Sequence, residues 1–177
     1  MKLSIISASH RENSQSIRLS NILEENLKKF NQSLDIFILD LAVSKLPLWS
    51  PKKKDGVGVW GEIWNGISSN LNKSDGFILV VPEYGGMATP AAKNLFLLCG
   101  NGELTHKPGL IVSVSSGNGG SYPISELRSS SYKNTHIMWI PENIIIRNVE
   151  EFNPGNHGSN IPDWLDNRID YVLKLFM

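Results

Sequence analysis

The segment FILVV at residues 77–81, followed by PEYGGMA at residues 82–88 and TP at residues 89–90, decides the fold. A continuous apolar run of this length is typical of a strand in a parallel sheet that is covered on both faces. Thr89 is a favourable N-cap residue, and proline is common at the first position of a helix. The segment therefore predicts a buried strand, a glycine-containing turn and a helix.

Further apolar runs alternate with segments of helical spacing along the chain. The runs that predict strands are Leu3–Ser7, Leu34–Leu39, Phe77–Val81, Leu110–Val114 and His136–Ile140, the last extending as far as Ile146. Apolar residues at intervals of three and four predict helices: Leu19, Ile22, Leu23, Leu27 and Phe30; Trp60, Ile63, Trp64, Ile67 and Leu71; Ala91, Ala92, Leu95, Phe96 and Cys99; and, after Pro162 as the first residue, Leu165, Ile169, Val172, Leu173 and Phe176. This order predicts one three-layer α/β domain over residues 1–177 with a parallel sheet and right-handed crossovers.

Composition excludes several classes of protein. Lys and Arg together number 17 and equal Asp plus Glu, so we expect no basic nucleic-acid surface. No stretch approaches the roughly 18 uncharged apolar residues of a membrane helix, and the apolar run Leu3–Ala8 is shorter than that of a signal peptide. Cys99 is the only cysteine, which suits the reducing cytoplasm. Residues Ser50–Gly58 predict an exposed loop.

The turn after the first run, residues 7–16 with the sequence SASHRENSQS, is rich in hydrogen-bond donors and enters a helix. Unpaired N–H groups at a helix start, hydroxyl groups and an arginine that can grip two oxygens together suit a terminal phosphate. The glycine patterns of dinucleotide-binding and P-loop proteins are absent from this turn. The alternative interpretation is that its serine and asparagine residues only cap the helix.

The turns after the third and fourth runs, residues 82–90 and 113–121, contain glycine pairs. Paired glycines let the backbone approach a flat ring closely, and Tyr84 can offer a ring face or edge. Ligands of open parallel sheets bind beyond the carboxyl ends of the strands, where all three turns must lie. The three turns therefore predict one binding site at this edge.

In combination these turns resemble the NADPH-dependent FMN reductases, a flavodoxin-like family that includes chromate, quinone and azo-dye reductases. Its pattern G-S-x-R-x-x-S-x-N is similar to residues 8–16, where Ala8 and Ser16 replace the terminal residues of the pattern. Its P-E-Y-N-G-S motif and following K-N are similar to residues 82–87 and 93–94, where Gly85 replaces the asparagine and Met87 the serine. The likeness covers residues 1–148.

The resemblance implies strand order 2-1-3-4-5 and a bound FMN. It implies that the phosphate lies among Ser9, Arg11, Ser14, Gln15 and Ser16; that Pro82, Glu83, Tyr84, Gly85 and Gly86 border the isoalloxazine, mainly through the backbone; and that Ser116 and Gly117 lie across its pyrimidine end. It further implies electron transfer from NADPH or NADH to a flavin, quinone, azo compound or metal oxyanion, in a homodimer or a tetramer.

No acid, base or nucleophile is nominated, because the flavin carries the chemistry in such enzymes. Without a second nucleotide-binding pattern, both substrates are expected to use one flavin face in a ping-pong mechanism.

Cys99 is interpreted as a buried core thiol, the helix of Trp60 and Trp64 as core or subunit contact, and His10 as a neighbour of the phosphate or a solvent-facing residue. The other three histidines lack metal-ligand spacing. Two alternatives stay open: an electron carrier of the flavodoxin type and a flavin-free protein on the same fold.

Overall fold

The computed structural model describes residues 1–51 and 59–177, without the side chains of Val59 and Trp60. Its strands are β1 (Lys2–Ser7), β2 (Asp35–Asp40), β3 (Gly76–Pro82), β4 (Pro108–Val114) and β5 (Met138–Ile146). Its helices are α1 (Gln15–Phe30), α2 (Leu41–Ser44), α3 (Val59–Lys73), α4 (Pro90–Leu98), α5 (Ser121–Ser130), α6 (Tyr132–Thr135) and α7 (Leu165–Phe176), with a 3-10 turn at Val149–Glu151. None of these helices is long and apolar enough to cross a membrane.

The five strands form one parallel sheet in the order β2-β1-β3-β4-β5. Ile5 of β1 is in register with Ile38 of β2 on one side and with Ile78 of β3 on the other. Every residue of the central strand β3 is buried, whereas the edge strand β2 is mostly half-buried. The predicted parallel α/β architecture and the implied strand order 2-1-3-4-5 are confirmed.

Two hydrophobic cores lie on opposite faces of the sheet. One contains the apolar residues of α1 and α7, such as Leu23 and Ile169, and the other contains those of α3, α4 and α5, such as Trp64 and Leu95. The helix start predicted at Thr89-Pro90 is confirmed, because the Thr89 hydroxyl accepts a hydrogen bond from the Ala92 N–H at 3.2 Å. The layers hold the carboxyl ends of β1, β3 and β4 at one edge.

Three sequence expectations differ from the structure. Strand β5 begins at Met138 rather than at His136, because His136 has a φ of 52° and ends helix α6. Helix α7 begins at Leu165, since Pro162 opens only a turn in which its carbonyl accepts from the Leu165 N–H. Ile63, expected on the inner face of α3, is 42% exposed. Most of the loop predicted at 50–58 and the side chain of Trp60 lie outside the described residues.

Candidate functional site

A cavity of about 240 Å³ lies at the carboxyl edge of β1, β3 and β4. Its lining residues come from three turns and from the segment after β5: Arg11, Asn13, Ser14, Gln15, Ser16, Pro82, Glu83, Tyr84, Val114, Ser116, Val149 and Glu150. Pockets that enclose a whole drug-sized ligand measure roughly 300–1,000 Å³. This cavity therefore suits the narrow part of a larger ligand, with the remainder outside it.

The first turn and the start of α1 form the polar end of the cavity. Ser14 is the N-cap of α1, and its hydroxyl accepts a hydrogen bond from the Ile17 N–H at 3.3 Å. Ser16 is buried, yet its hydroxyl has no hydrogen-bond partner in the described part of the chain. Because a buried hydroxyl without a partner is costly, the Ser16 hydroxyl is suited to a ligand oxygen. Arg11 adds a positive charge at this end.

Gln15 is held by a neighbour that the sequence did not indicate. Its side-chain oxygen accepts from Arg18 Nε at 2.5 Å, so the amide nitrogen remains its available donor. Arg18 also donates to the carbonyl oxygens of Val149 and Phe152, at 2.6 and 2.9 Å. Burial lowers the pKa of the Arg18 guanidinium. Arg18 thereby fixes the segment that brings Val149 and Glu150 to the cavity.

The second turn, after β3, is closed by reciprocal hydrogen bonds between the backbones of Tyr84 and Met87, at 3.0 and 3.1 Å. Gly85 and Gly86 between them have φ values of 59° and 75°, which glycine adopts most readily and asparagine more readily than most other residues. Gly85 therefore occupies a backbone conformation that the family's asparagine can also take. A Cβ at Gly86 would meet no atom within 4 Å, so space is open above the turn.

Ser9, expected at the phosphate, is fully buried and does not line the cavity. Its hydroxyl is hydrogen-bonded to the Tyr84 hydroxyl at 2.9 Å and accepts from the Arg11 N–H at 3.0 Å. The His10 ring contacts the same tyrosine edge-on, with ring centroids 5.2 Å apart. Ser9 and His10 thus join the first turn to the second one and fix the position of Tyr84.

Glu83 joins the second turn to the third one, after β4. Its carboxylate accepts a hydrogen bond from the Gly120 N–H at 2.7 Å. A Cβ at Gly119 would lie 2.5 Å from Glu83 Oε1, and a Cβ at Gly120 would lie 2.5 Å from Ile145. The glycine pair is therefore required for the carboxylate to approach. The Glu83 N–H also donates to the Val114 carbonyl at 2.9 Å, which is a second contact between the ends of β3 and β4.

The third turn contributes Ser116 to the cavity wall, whereas Gly117 lies just beyond it. The Gly117 N–H donates to the Ser115 hydroxyl at 3.2 Å, and its carbonyl accepts from the Asn148 N–H at 3.1 Å. A Cβ at Gly117 would meet nothing within 4 Å. The backbone of Gly117 is thus fixed by hydrogen bonds, while the space beside its α-carbon is open.

Glu126 of α5 contacts the end of the glycine turn that follows β3, a role that the sequence did not predict. Its carboxylate accepts from the Ala88 N–H at 2.7 Å and from Lys93 at 2.5 Å. Burial acts to raise the pKa of Glu126, but the hydrogen bonds from Lys93 and Ala88 outweigh it and the pKa is lowered. The ionised carboxylate therefore holds the end of the turn against α4.

A larger cavity of about 420 Å³ adjoins this site at His10. Its other walls are mainly apolar: Leu41, Ala42, Lys45, Leu46, Leu48, Pro90, Ala91 and Asn94. The Asn94 side chain donates to the Pro47 carbonyl at 2.9 Å and accepts from the Trp49 N–H at 2.7 Å. Asn94, from the family's K-N pair, thus fixes the Leu46–Trp49 segment as one wall of this cavity.

The structure brings Arg11, Ser14, Gln15, Ser16, Pro82, Glu83, Tyr84 and Ser116 around one cavity, and places Ser9, Gly85, Gly86 and Gly117 next to it. The cavity residues Asn13, Val114, Val149 and Glu150 were not among the predicted site residues. Asn13 has a φ of 51°, which asparagine tolerates, but Val149 and Glu150 carry no sequence signal. Cys99 and Trp64 are buried in the core, as their helical spacing indicates.

Residues 1–151 match the family model for NADPH-dependent FMN reductase. No curated protein sequence matches the chain significantly.

Many solved structures are similar to the chain, and the following three are among those that match over 99% of its length. FerB, a flavoenzyme NAD(P)H:(acceptor) oxidoreductase from Paracoccus denitrificans, is 19% identical with a TM-score of 0.70 and 96% of its chain covered. The apo form of the NADH:FMN oxidoreductase EmoB is 13% identical with a TM-score of 0.73 and 87% covered. An oxidoreductase from Corynebacterium diphtheriae is 16% identical with a TM-score of 0.68 and 96% covered. At these identities the likeness shows a common fold.

Proposed function

The chain belongs to the NADPH-dependent FMN reductase family, an oxidoreductase family with a flavodoxin-like fold, and we propose that it binds FMN and passes electrons from NADPH or NADH to small acceptors. The observation that carries the proposal is the buried Ser16 hydroxyl, which has no partner in the described chain and lines a cavity with Arg11 and the first residues of α1. This set of groups fits a phosphate.

In this proposal Arg11, Ser14, Ser16 and the Gln15 amide hold the phosphate, with Ser9 behind them. Pro82, Glu83, Tyr84, Gly85 and Gly86 border the ring, and Ser116 and Gly117 lie at its pyrimidine end. When bound, FMN would supply the redox chemistry of hydride and electron transfer. The protein's part is to orient the ring, because the hydrogen bonds of Glu83, Tyr84 and Glu126 fix the turns around it.

The proposed acceptors are flat or small molecules: a flavin, a quinone, an azo compound or a metal oxyanion. The mainly apolar cavity of about 420 Å³ beside His10 supports this proposal, since its walls include Pro90 at the end of the ring-side turn and its volume lies in the usual range of small-molecule pockets. Donor and acceptor would share this open side of the site and bind alternately, which is a ping-pong mechanism.

We also propose that residues 1–177 form one domain that assembles as a homodimer or a tetramer and works in the cytoplasm. Helix α7, beyond the matched residues, packs in the same core as α1, which supports one domain. Trp64 is buried in its own core and does not support a subunit contact, but Val43, Leu48 and Met87 near the site are each more than half exposed. Light scattering should give at least twice 19.7 kDa, and a monomer would contradict the assembly.

The deciding experiment is a titration of flavin-free protein with FMN and with riboflavin. FMN should bind more tightly, and Arg11→Ala should weaken FMN by about 1.5–3 kcal/mol while leaving riboflavin unchanged, because only FMN offers a phosphate to the guanidinium. Lys133→Gln, which removes an exposed charge of α6 outside the cavity, is the matched control. Equal affinity for both flavins would overturn the phosphate site.

A second measurement separates the enzyme from an electron carrier. Purified protein with FMN should oxidise NADPH or NADH in the presence of a quinone, an azo dye or chromate. A carrier of the flavodoxin type would bind FMN without oxidising either nucleotide, and a flavin-free protein would bind no FMN.

A further inference from the structure

A third cavity, of about 130 Å³, lies beside the turn that follows β4. Arg147, at its rim, donates through Nε to the carbonyl oxygens of Asn118 and Gly119, at 2.8 and 3.0 Å. These two bonds fix the plane of the guanidinium against the turn. Within residues 1–51 and 59–177, its terminal nitrogens have no hydrogen bond or ion pair, so they are available to an anion.

The same cavity is also lined by an exposed aromatic residue. Trp164, just before α7, is 61% exposed, and its indole makes no hydrogen bond or ring contact with any described residue. Asn118 and Asn148 also line the cavity, and their side-chain amides likewise have no hydrogen-bond partner among the described residues. A fixed arginine, a free indole face and two amides together suit a planar ring that bears an anionic group.

The charges of the main site show why a second cation is needed. Among the described residues that line the 240 Å³ cavity, Arg11 is the only one with a cationic side chain, and the same lining includes Glu83 and Glu150. An FMN phosphate would engage Arg11. A reduced pyridine nucleotide brings phosphates of its own, and Arg147 braces the same turn that presents Ser116 to the main cavity.

We propose that Arg147 and Trp164 form a subsite for the phosphorylated adenosine end of NADPH or NADH, with the adenine against the indole and a phosphate on the guanidinium. The inference rests on the proposed function, since it assigns a binding site to the adenosine half of the nucleotide that donates electrons. The cavity volume of about 130 Å³ suits a subsite of this kind, because the cavity would hold only the adenosine end of the nucleotide while the nicotinamide end would lie at the flavin.

The first test measures binding without turnover. Calorimetric titration of the FMN-loaded protein with adenosine 2′,5′-bisphosphate should show binding that Trp164→Ala weakens at least tenfold and that Trp164→Phe largely restores. Arg147→Gln should weaken it similarly, with FMN affinity measured alongside because this variant also loses the bonds to residues 118 and 119. Tyr132→Ala and Lys133→Gln remove an exposed ring and an exposed charge elsewhere and should change nothing.

Two results would overturn the subsite: unchanged bisphosphate binding in Trp164→Ala, or binding of an anionic aromatic acceptor such as anthraquinone-2-sulfonate at Trp164 in place of the bisphosphate.

A kinetic comparison separates failure of the subsite from failure of the proposed function. With reduced nicotinamide mononucleotide, which lacks the adenosine, Trp164→Ala should leave KM unchanged, whereas KM for NADPH should rise about tenfold. An equal rise for both donors would overturn the subsite but leave the oxidoreductase standing. Loss of oxidation with both donors in the unsubstituted protein would overturn the proposed function itself, and the subsite with it.

Discussion

The Glu83 carboxylate accepts a hydrogen bond from the Gly120 N–H, with 2.7 Å between Oε2 and the nitrogen. This contact joins the turn after β3 to the turn after β4, which are neighbouring strands of the sheet. Since both turns border the proposed flavin ring, the distance between them depends on this contact of the Glu83 side chain. Glu83 thus acts by positioning the two turns.

Glu83→Ala should therefore weaken FMN binding about tenfold and lower the free energy of unfolding by about 1–2 kcal/mol, because the buried Gly120 N–H loses a charged acceptor. Flavin titration and urea unfolding measure the two effects. Glu25→Gln, on the exposed face of α1 and without a described contact, is the control. Unchanged FMN affinity would show that the contact does not position the turns.

Two of the three glycines of the third turn, Gly117 and Gly120, should respond differently to alanine. Gly120→Ala should destabilise the protein by about 2–3 kcal/mol, because Gly120 has a φ of 105° and its Cβ would lie 2.5 Å from Ile145. Gly117→Ala meets no atom within 4 Å and should leave stability unchanged while it weakens FMN. Thermal unfolding and flavin titration of both variants test this difference. Equal stability loss in the two variants would contradict it.

Ser16→Ala should affect stability and binding in opposite directions. The Ser16 hydroxyl is buried without a partner in the described structure, so its removal should leave the flavin-free protein as stable as before or more so. FMN binding should weaken by about 1 kcal/mol, because the phosphate loses a donor. Ser129→Ala, an exposed serine of α5, is the control. Destabilisation of the flavin-free protein would mean that the hydroxyl serves the fold.

Stability should fall at alkaline pH because of Cys99. Burial, and to a lesser extent Glu103, raises the pKa of the Cys99 thiol well above its ordinary value. The folded protein then holds a proton that the unfolded chain releases above about pH 8.5. The contribution of this group is thus complete below that pH and decreases as the pH rises toward the folded-state pKa. Urea unfolding between pH 7 and pH 10 should show this decrease, and Cys99→Val should remove it.

The kinetics should be ping-pong. Donor and acceptor are proposed to share one open side of the site, so double-reciprocal plots at several fixed acceptor concentrations should be parallel. Intersecting lines, together with product inhibition that indicates a ternary complex, would show that both substrates bind at once and that the shared site is wrong.

Local patterns in the sequence determined the strands, most helices and the buried Cys99, because burial on both faces of a strand or on one face of a helix is encoded by neighbouring residues. The same patterns placed the turns near residues 9–16, 82–86 and 116–117 at one edge, since parallel strands direct their carboxyl ends the same way. The edge of the sheet that carries the site could therefore be predicted from the order of the strands and helices along the chain.

The tertiary structure alone decided which groups meet across that edge. Glu83 and Gly120 are 37 residues apart, and Arg18 and Val149 are 131 apart, so no local spacing records either contact. The hydrogen bond between Ser9 and Tyr84 could not be predicted either, because a serine in a donor-rich turn shows the same pattern whether it contacts a side chain or a phosphate. These contacts arise when packing brings distant polar groups together away from water, where each must find a partner.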